Sequence, residues 1–297
     1  MKILITGSNG LTGQKIVGQL LRARREFLAT SVGGNRNPDC PAENYASLDI
    51  TDVLAVKECI SKYEPQVVIN TAAMTNVDQC ETEEENCKKI NVTAVKYLHD
   101  VCKLRNIHLI HLSTDFVFDG TGGPYREEDK PNPLSVYAKS KYDAEQILTA
   151  SSFLNWTILR TIIVYGHRPG LSRSNLILWA IDSLSKGQEI KIVNDQFRAP
   201  TWADDLAWAC IRCTEVEKRG IFHISGPHTF SIYEIVCQIA DHLRVKRALI
   251  VPIDSASLNQ KAKRPPRTGF ILDRAIQELG YQPKTFQETL EVLSPVK

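Results

Sequence analysis

The sequence predicts an α/β protein built on a doubly wound parallel sheet. Short apolar runs alternate with segments that have the 3.6-residue period of amphipathic helices, and a glycine-rich turn follows the first apolar run. The runs are nearly continuous in apolar residues, as expected for strands covered by helices on both faces. A chain of 297 residues has room for one large domain or two smaller ones.

The strands and helices alternate along the first half of the chain. The five predicted strands are KILIT (2–6), EFLATSV (26–32), QVVIN (66–70), IHLIHLS (107–113) and WTILRTIIV (156–164). Four helical segments follow the first four strands, at 12–25, 52–63, 81–104 and 132–150. Thr51 stands directly before the second helical segment and is predicted to cap it. Such alternation indicates βαβ units.

Composition excludes several classes of protein. A net charge of +2, with 43% apolar and 24% charged residues, is ordinary for a soluble globular protein and indicates no nucleic-acid partner. No apolar run is long enough for a membrane span, and the N-terminal sequence has no signal-peptide pattern. The eight cysteines are scattered, so we expect reduced thiols in the cytoplasm and no metal site. Cys210 and Cys213 have CxxC spacing, which we interpret as helix packing.

The glycine-rich turn predicts a dinucleotide site. Gly7, Gly10 and Gly13 form a GxxGxxG pattern between the first strand and the first helix. Glycines there allow a pyrophosphate to approach the backbone, and the helix N-terminus offers free N–H groups. Asp39, the nearest acid after the second strand, comes late, whereas Arg36 lies close to the expected ribose position. We therefore expect NADP(H) as the preferred cofactor, with NAD(H) as the alternative.

The chain is predicted to have two parts. Residues 1–165 would form the NADP(H)-binding Rossmann domain, and residues 201–225 would return to it. Residues 166–200 and 226–297 are richer in loops and would form a smaller substrate-binding lobe.

A tyrosine and a lysine at helical spacing predict acid–base chemistry. Tyr137 and Lys141 would lie one turn apart on one helix face. A nearby ammonium can stabilise a tyrosine anion, which otherwise forms only near pH 10. Thr114 ends the preceding strand, at the carboxyl edge of the sheet where such folds bind ligands.

At this point the chain resembles the extended short-chain dehydrogenases/reductases, and more narrowly the dTDP-4-dehydrorhamnose reductases. The matching stretches cover nearly the whole sequence: GSNGLTGQ, NTAAMTNVDQCE, INVTAV, STDFVFDGTGGPYREEDKPNPLSVYAKSK, DQFRAPTWADDLA and RPPRTGFILDRAIQELGYQP. This resemblance implies an NAD(P)H-dependent oxidoreductase.

The resemblance also implies roles for individual residues. Tyr137 would protonate the substrate carbonyl oxygen, Lys141 would bind the nicotinamide ribose, Thr114 would hydrogen-bond the carbonyl and Asn91 would order the active-site helix. The implied cofactor-binding residues are Gly7, Asn9, Gly10, Leu11, Gly13, Arg36, Asp49, Ile50, Ala72, Ala73 and Thr75. For Asn91 and Asp49, helix capping remains an alternative interpretation.

The implied substrate is a nucleotide sugar. Its implied contacts are Asp115, Asn175, Arg198 and Arg264, and the two arginines would clamp the diphosphate. Lys263 and Arg267 are neighbouring cations that could replace them. The chain departs from the resembled reductases at Arg198, where they often have glycine, and at Ile163, where they often have tryptophan.

The predicted reaction is the reduction of a 4-keto deoxysugar nucleotide, dTDP-4-dehydro-L-rhamnose first, for cell-surface polysaccharide precursors. The alternatives are an NADP-binding regulatory protein, resembling the β subunit of methionine adenosyltransferase, and another nucleotide-sugar enzyme of the superfamily. Sugar 4,6-dehydratases are less favoured because Phe116, not a second acid, follows Asp115. The 4-epimerases usually carry the acid after the second strand that this chain lacks. The oligomeric state stays open, with a homodimer as the candidate.

Overall fold

A seven-stranded parallel sheet lies at the centre of the protein. The computed structural model describes residues 1–168, 171 and 175–294. The strands of this sheet are β1 (Ile3–Thr6), β2 (Phe27–Ser31), β3 (Tyr45–Ser47), β4 (Val67–Asn70), β5 (His108–Thr114), β6 (Trp156–Thr161) and β11 (Gly220–Ile224). Their order across the sheet is β11-β6-β5-β4-β1-β2-β3. The order reverses direction between β1 and β4, which opens a crevice at the carboxyl ends of these strands. The predicted doubly wound parallel fold is confirmed.

Helices cover both faces of the sheet because successive strand side chains point to opposite sides. Ile3 and Ile5 lie in one core cluster, whereas Leu4 between them lies in the other. The first face is covered by α1 (Leu11–Arg22) and α8 (Ala203–Glu215). The second face is covered by α2 (Val53–Tyr63), α5 (Ala94–Arg105) and α6 (Val136–Thr149). Each fully buried Ile or Leu contributes about 1.5–3 kcal/mol to folding.

Two short helices and one π-helical turn connect β4 to α5. They are α3 (Val77–Thr82), α4 (Glu84–Lys88) and a single π-helical turn over Lys89–Thr93. The helix predicted over 81–104 is therefore interrupted.

Two local predictions are corrected. The predicted strand 156–164 ends at Thr161, because Ile163 has a φ of 33° that breaks the extended backbone. Asp52, not Thr51, caps α2, and its carboxylate accepts from the N–H groups of Leu54 (2.9 Å) and Ala55 (3.1 Å).

A second core lies outside the main sheet. It is formed by α7 (Leu176–Ser185), α9 (Ile232–Leu243), α11 (Phe286–Leu293) and the parallel pair β8 (Ile190–Val193) and β13 (Ile250–Ile253). The remaining elements are β7 (Val164–Tyr165), β9 (Phe197–Arg198), β10 (Thr201–Trp202), β12 (Phe230–Ser231) and α10 (Asp273–Leu279). β7 pairs with β10 and β9 pairs with β12. The division of the chain at residues 165, 200 and 225 stays a prediction.

Among the described residues, none of the helices combines the length and the apolar character needed to cross a membrane. Cys210 and Cys213 are buried on α8, in the core beneath the sheet.

Candidate active site

A cleft of about 380 Å³ lies at the carboxyl edge of β1, β2 and β4. Its lining residues are Gly7, Gly10, Ser31, Val32, Asp49, Ile50, Thr51, Thr71, Ala72, Ala73, Asn86, Lys89 and Ile90. Six of the predicted cofactor residues are among them: Gly7, Gly10, Asp49, Ile50, Ala72 and Ala73. The predicted residues Asn9, Leu11, Gly13, Arg36 and Thr75 are not in the lining.

The glycine loop forms the floor of the cleft beside α1. Gly7 has a φ of 70°, and a Cβ there would lie 2.6 Å from the backbone nitrogen of Ala72. A Cβ on Gly13 would lie 2.6 Å from the carbonyl oxygen of Gly7. Gly10 caps α1 without a side chain, and the first turn holds no acidic residue. The N–H groups at this helix start, where Leu11 begins the helix, therefore suit an anionic pyrophosphate.

Asn9 anchors the loop that follows β2. Its Oδ1 accepts from the N–H of Arg36 (2.8 Å), and its Nδ2 donates to the carbonyl of Gly34 (2.9 Å). The Arg36 side chain is exposed, whereas Asp39 pairs with Arg168 at 2.6 Å. The amide of Asn9 is thus engaged within the protein, and the loop presents a guanidinium close to the second strand.

The predicted tyrosine and lysine lie one turn apart near the start of α6. Ser135 caps this helix and accepts from the N–H of Ala138 (3.2 Å). Lys141 is only 3% exposed, and burial lowers its pKa to about 8 while Glu145 opposes the shift. Burial raises the pKa of Tyr137, and the Thr114 hydroxyl opposes that shift. Tyr137 is therefore protonated at neutral pH, as a proton donor must be.

Lys141 contacts a row of buried polar side chains on the sheet, which the sequence analysis missed. Thr6 Oγ1 donates to Asn70 Oδ1 (2.6 Å), and Asn70 Nδ2 lies 3.1 Å from His111 Nδ1. His111 Nε2 in turn lies 3.2 Å from Lys141 Nζ. Burial, with Lys141 nearby, holds the pKa of His111 well below its usual range, so the imidazole is neutral. This row of contacts links the lysine to three adjacent strands of the sheet, β5, β4 and β1.

Thr114 ends β5 beside Tyr137, and Asp115 follows it directly. Thr114 Oγ1 donates to Asp115 Oδ1 (3.1 Å) and accepts from the N–H of Phe116 (3.2 Å). Burial raises the pKa of Asp115, while Arg198 and the hydroxyls of Thr268 and Thr114 oppose the shift. The threonine hydroxyl is therefore held in place from both sides.

Asn91 lies in the π-helical turn and braces α6. Its Oδ1 accepts from the N–H of Met74 (2.8 Å), and its Nδ2 donates to the Met74 carbonyl (3.0 Å) and to Ser140 Oγ (3.0 Å). Ser140 Oγ donates in turn to the carbonyl of Tyr137 (2.7 Å). Asn91 lies inside a helical run, so the alternative interpretation as a helix cap does not describe it. Asp49 likewise caps no helix, and its carboxylate accepts from the N–H of Thr51 (2.8 Å).

A second buried contact holds the same helix from its other end. Arg160 on β6 donates through Nε (2.9 Å) and Nη2 (2.7 Å) to the carboxylate of Glu145, and both side chains are at most 2% exposed. Arg160 Nη1 also donates to the carbonyl of Glu127 (3.2 Å). Glu145 lies one turn beyond Lys141, so this ion pair positions the helical face that carries Tyr137 and Lys141.

The predicted substrate residues are placed differently. Asn175 caps α7, with Oδ1 accepting from the N–H of Leu178 (3.0 Å). Arg264 forms a bidentate pair with Asp78 (2.6 and 3.2 Å). Arg198 is 1% exposed and donates to backbone carbonyls, so it is not available to a diphosphate in this arrangement. The predicted clamp of Arg198 and Arg264 on a diphosphate would need both side chains to leave these contacts.

Comparison with known proteins identifies the family. A family model described as the RmlD substrate binding domain matches residues 1–295. The chain belongs to the RmlD family. It is 32% identical to a dTDP-4-dehydrorhamnose reductase of Aggregatibacter actinomycetemcomitans, over 98% of this chain and 97% of that protein. It is also 30% identical to the methionine adenosyltransferase 2 subunit beta of Xenopus laevis, over 85% of this chain and 75% of that protein.

Solved structures agree with this assignment. A dTDP-4-dehydrorhamnose reductase from Clostridium acetobutylicum has a TM-score of 0.84 at 30% identity, covering 99% of this chain and 98% of that one. A dTDP-4-dehydrorhamnose reductase from Bacillus anthracis, solved in complex with NADP, has a TM-score of 0.85 at 25% identity, covering 98% of both chains. The resemblance to extended short-chain dehydrogenases/reductases is confirmed, and the RmlD family is one of NAD(P)H-dependent oxidoreductases.

Proposed function

We propose that this RmlD-family protein reduces the 4-keto group of a deoxysugar nucleotide, with dTDP-4-dehydro-L-rhamnose as the substrate. The observation behind the proposal is the group of Tyr137, Lys141 and Thr114 beside the cleft, with Asn91 and Glu145 bracing the helix that carries the first two. The similarity to dTDP-4-dehydrorhamnose reductases supports the choice of sugar. The product would be a precursor of cell-surface polysaccharide.

The cleft fits a nicotinamide dinucleotide. The glycines at positions 7 and 13, and a helix start with neither a side-chain cap nor an acidic residue, suit its pyrophosphate. Arg36 would contact a 2′-phosphate, so NADPH is the preferred cofactor, with NADH as the alternative. The NADP complex of the Bacillus anthracis reductase supports this preference.

The protein's share of the reaction is proton transfer and positioning. NADPH supplies the hydride when it is bound. Tyr137 donates its phenolic proton to the oxygen of the carbonyl as negative charge develops there. Thr114 orients that oxygen by turning its hydroxyl hydrogen from Asp115 towards it, and the ammonium of Lys141 stabilises the tyrosine anion that remains. This arrangement of Tyr137, Lys141 and Thr114 requires α6 to keep its position against β5.

The test of this proposal is turnover. A panel of 4-keto sugar nucleotides, including dTDP-4-dehydro-L-rhamnose, is assayed by loss of NADPH absorbance. We expect oxidation of NADPH with the rhamnose precursor and little or none with nucleotide sugars that lack a keto group. Turnover of another 4-keto sugar alone would reassign the substrate while leaving the chemistry intact.

The second candidate function is a regulatory one. The similarity to methionine adenosyltransferase 2 subunit beta favours it. NADP binding without oxidation of NADPH by any member of the panel, together with a stable complex with a methionine adenosyltransferase catalytic subunit, would select this alternative.

Two further properties belong to the proposal. All eight cysteines are free thiols, which supports the expected cytoplasmic location. A homodimer remains the expected assembly, and light scattering after size-exclusion chromatography measures it.

A further inference from the structure

Arg198 lies at the centre of a buried cluster rather than at the surface of a binding site. Its Nη1 donates to the carbonyls of Phe197 (2.7 Å) and Pro266 (3.3 Å), and its Nη2 donates to the carbonyl of Pro265 (2.7 Å). Three of the five N–H donors of a guanidinium are thereby used by backbone oxygens. A lysine cannot make this set of bonds, because its ammonium is a point charge without a planar fork.

The remaining side of the guanidinium faces Asp115. Arg198 Nε lies 3.8 Å from Asp115 Oδ2, and both side chains are at most 3% exposed. Thr268, which is fully buried, donates its hydroxyl hydrogen bond to the same oxygen of Asp115. The other carboxylate oxygen accepts from Thr114 (3.1 Å). Asp115 therefore joins Thr268, in the 262–268 loop, to the threonine of the proposed active site.

The arginine also reaches Tyr137 through one ring. Its guanidinium carbon lies 5.4 Å from the centroid of Phe116. Phe116 meets Tyr137 edge to face, with the ring centroids 6.2 Å apart. Phe116 thus lies between Arg198 and the proposed proton donor.

The segment held by Arg198 also contacts Gly120 and the start of α3. Pro265 and Pro266 pack against Gly120, where a Cβ would come within 2.7 Å of Pro265. The preceding residue, Arg264, pairs with Asp78 at the start of α3. The position of this loop is therefore transmitted to Thr114 through Arg198 and Asp115.

We propose that Arg198 is a positioning residue and that it does not bind the substrate diphosphate. Through Asp115 and Phe116 it aligns Thr114 and Tyr137 when the 262–268 loop is in place. This inference rests on the proposed reductase function and refines the substrate site. A neutral residue at position 198 would leave Asp115 as a buried carboxylate without a cationic neighbour.

Two variants test the positioning role without removing the buried positive charge. Arg198→Lys keeps the positive charge and loses the planar guanidinium. Thr268→Val removes the hydroxyl that donates to Asp115 and keeps the shape of the side chain at position 268. For both, we expect kcat to fall by about 10- to 100-fold, with KM for the nucleotide sugar within about threefold of wild type, because the lost contacts act on the reacting geometry. Thr268→Ser restores the hydroxyl and is expected to recover kcat.

Binding of dTDP separates positioning from diphosphate recognition. If Arg198 bound the diphosphate, Arg198→Lys would lower the affinity for dTDP by about tenfold or more, because bidentate charge-assisted bonds would be lost. The proposal predicts an unchanged Kd for dTDP by titration calorimetry. Lys261→Met, an exposed lysine in the neighbouring loop, is the matched control for removal of a positive charge.

The outcomes distinguish this inference from the proposed function. An active wild type whose Arg198→Lys and Thr268→Val variants keep kcat overturns the inference and leaves the reductase function standing. A selective loss of dTDP affinity in Arg198→Lys also overturns it. A wild type without turnover overturns the proposed function, and the dTDP titration still decides whether Arg198 binds a diphosphate. In a double-mutant cycle, Asp115→Asn is expected to add little to Arg198→Lys, since both disturb one contact.

Discussion

Tyr137 is the residue whose chemistry can be tested most directly. Tyr137→Phe removes the proposed proton donor while keeping the ring that meets Phe116 edge to face. We expect kcat to fall by about 10²- to 10⁴-fold, the range for loss of general acid catalysis, with little change in the Kd for NADP+. Tyr142→Phe on the same helix is the matched control. Near-wild-type turnover by Tyr137→Phe would remove the tyrosine from the mechanism.

The pKa of Lys141 predicts a limit on the alkaline side. Burial lowers it to about 8, so the ammonium is present below that pH and is lost above it. Because the charged form stabilises the tyrosine anion, kcat/KM for reduction should be level below about pH 8 and then fall roughly tenfold per pH unit. A pH profile with saturating NADPH measures this. A profile that stays level to pH 10 would contradict the role of the lysine.

At the scale of single residues, the sequence indicated the candidate reactive groups better than their partners. Tyr137, Lys141 and Thr114 are found by spacing and by their place after a strand. His111 was missed although it contacts Lys141. That contact joins a strand to a helix thirty residues later, and no local pattern encodes it. The burial of Arg198 was not predicted, because a charged side chain in a loop is usually exposed and this burial depends on carbonyls more than sixty residues away.

The helix α6 is the element on which the site depends. The buried pair of Glu145 and Arg160 holds it against β6. Removing one partner leaves an uncompensated buried charge, so Arg160→Met should lower the free energy of unfolding by about 3–5 kcal/mol. Urea denaturation measures this loss.

The double variant gives the sharper result for this element. Glu145→Met with Arg160→Met removes both charges and should recover part of the stability lost in Arg160→Met. Lys186→Met, which breaks an exposed pair with Asp182, is the control and should cost at most about 1 kcal/mol. A double variant less stable than Arg160→Met would show that the pair acts through packing instead.

The elements of the first half of the chain were predicted better than those of the second half. The apolar runs identified β1, β2, β4, β5 and β6 because strands buried on both faces have a strong signal. The strands β3, β8, β11 and β13 were missed, and so were the two-residue strands β7, β9, β10 and β12, whose pairings depend on partners far along the chain. The π-helical turn was also missed, because its bonds differ from those of a helix by one residue only.

At the scale of the whole molecule, cofactor binding should appear as stability of the fold. A ligand that binds the folded state alone at 100 times its Kd adds about 2.7 kcal/mol. In Arg36→Ala we expect the thermal shift caused by NADP+ to shrink strongly and the shift caused by NAD+ to persist, because only the former has a 2′-phosphate. Thermal denaturation at fixed cofactor concentration measures both shifts. Equal losses for the two cofactors would exclude the 2′-phosphate contact.

The proposed substrate contacts are the part of the whole molecule that the sequence described least. The parallel sheet and the glycine loop follow from local patterns and strand burial. The cluster around Arg198 draws on β5, β9 and the 262–268 loop, three segments that meet only in the folded chain. Which side chains remain free for a ligand is decided by such long-range pairing.

The contrast between the exposed Arg36 and the buried pair of Glu145 and Arg160 has a consequence for the response to salt. Mobile ions screen exposed charges over about 8 Å at 0.15 M ionic strength and hardly reach buried ones. Raising KCl from about 0.05 to 0.5 M should therefore increase KM for NADPH while leaving kcat nearly constant. Steady-state kinetics at several KCl concentrations would show this separation, and a parallel fall in kcat would contradict it. Ionic strength would then set how fully the protein is loaded with cofactor, while the geometry around the tyrosine stays the same.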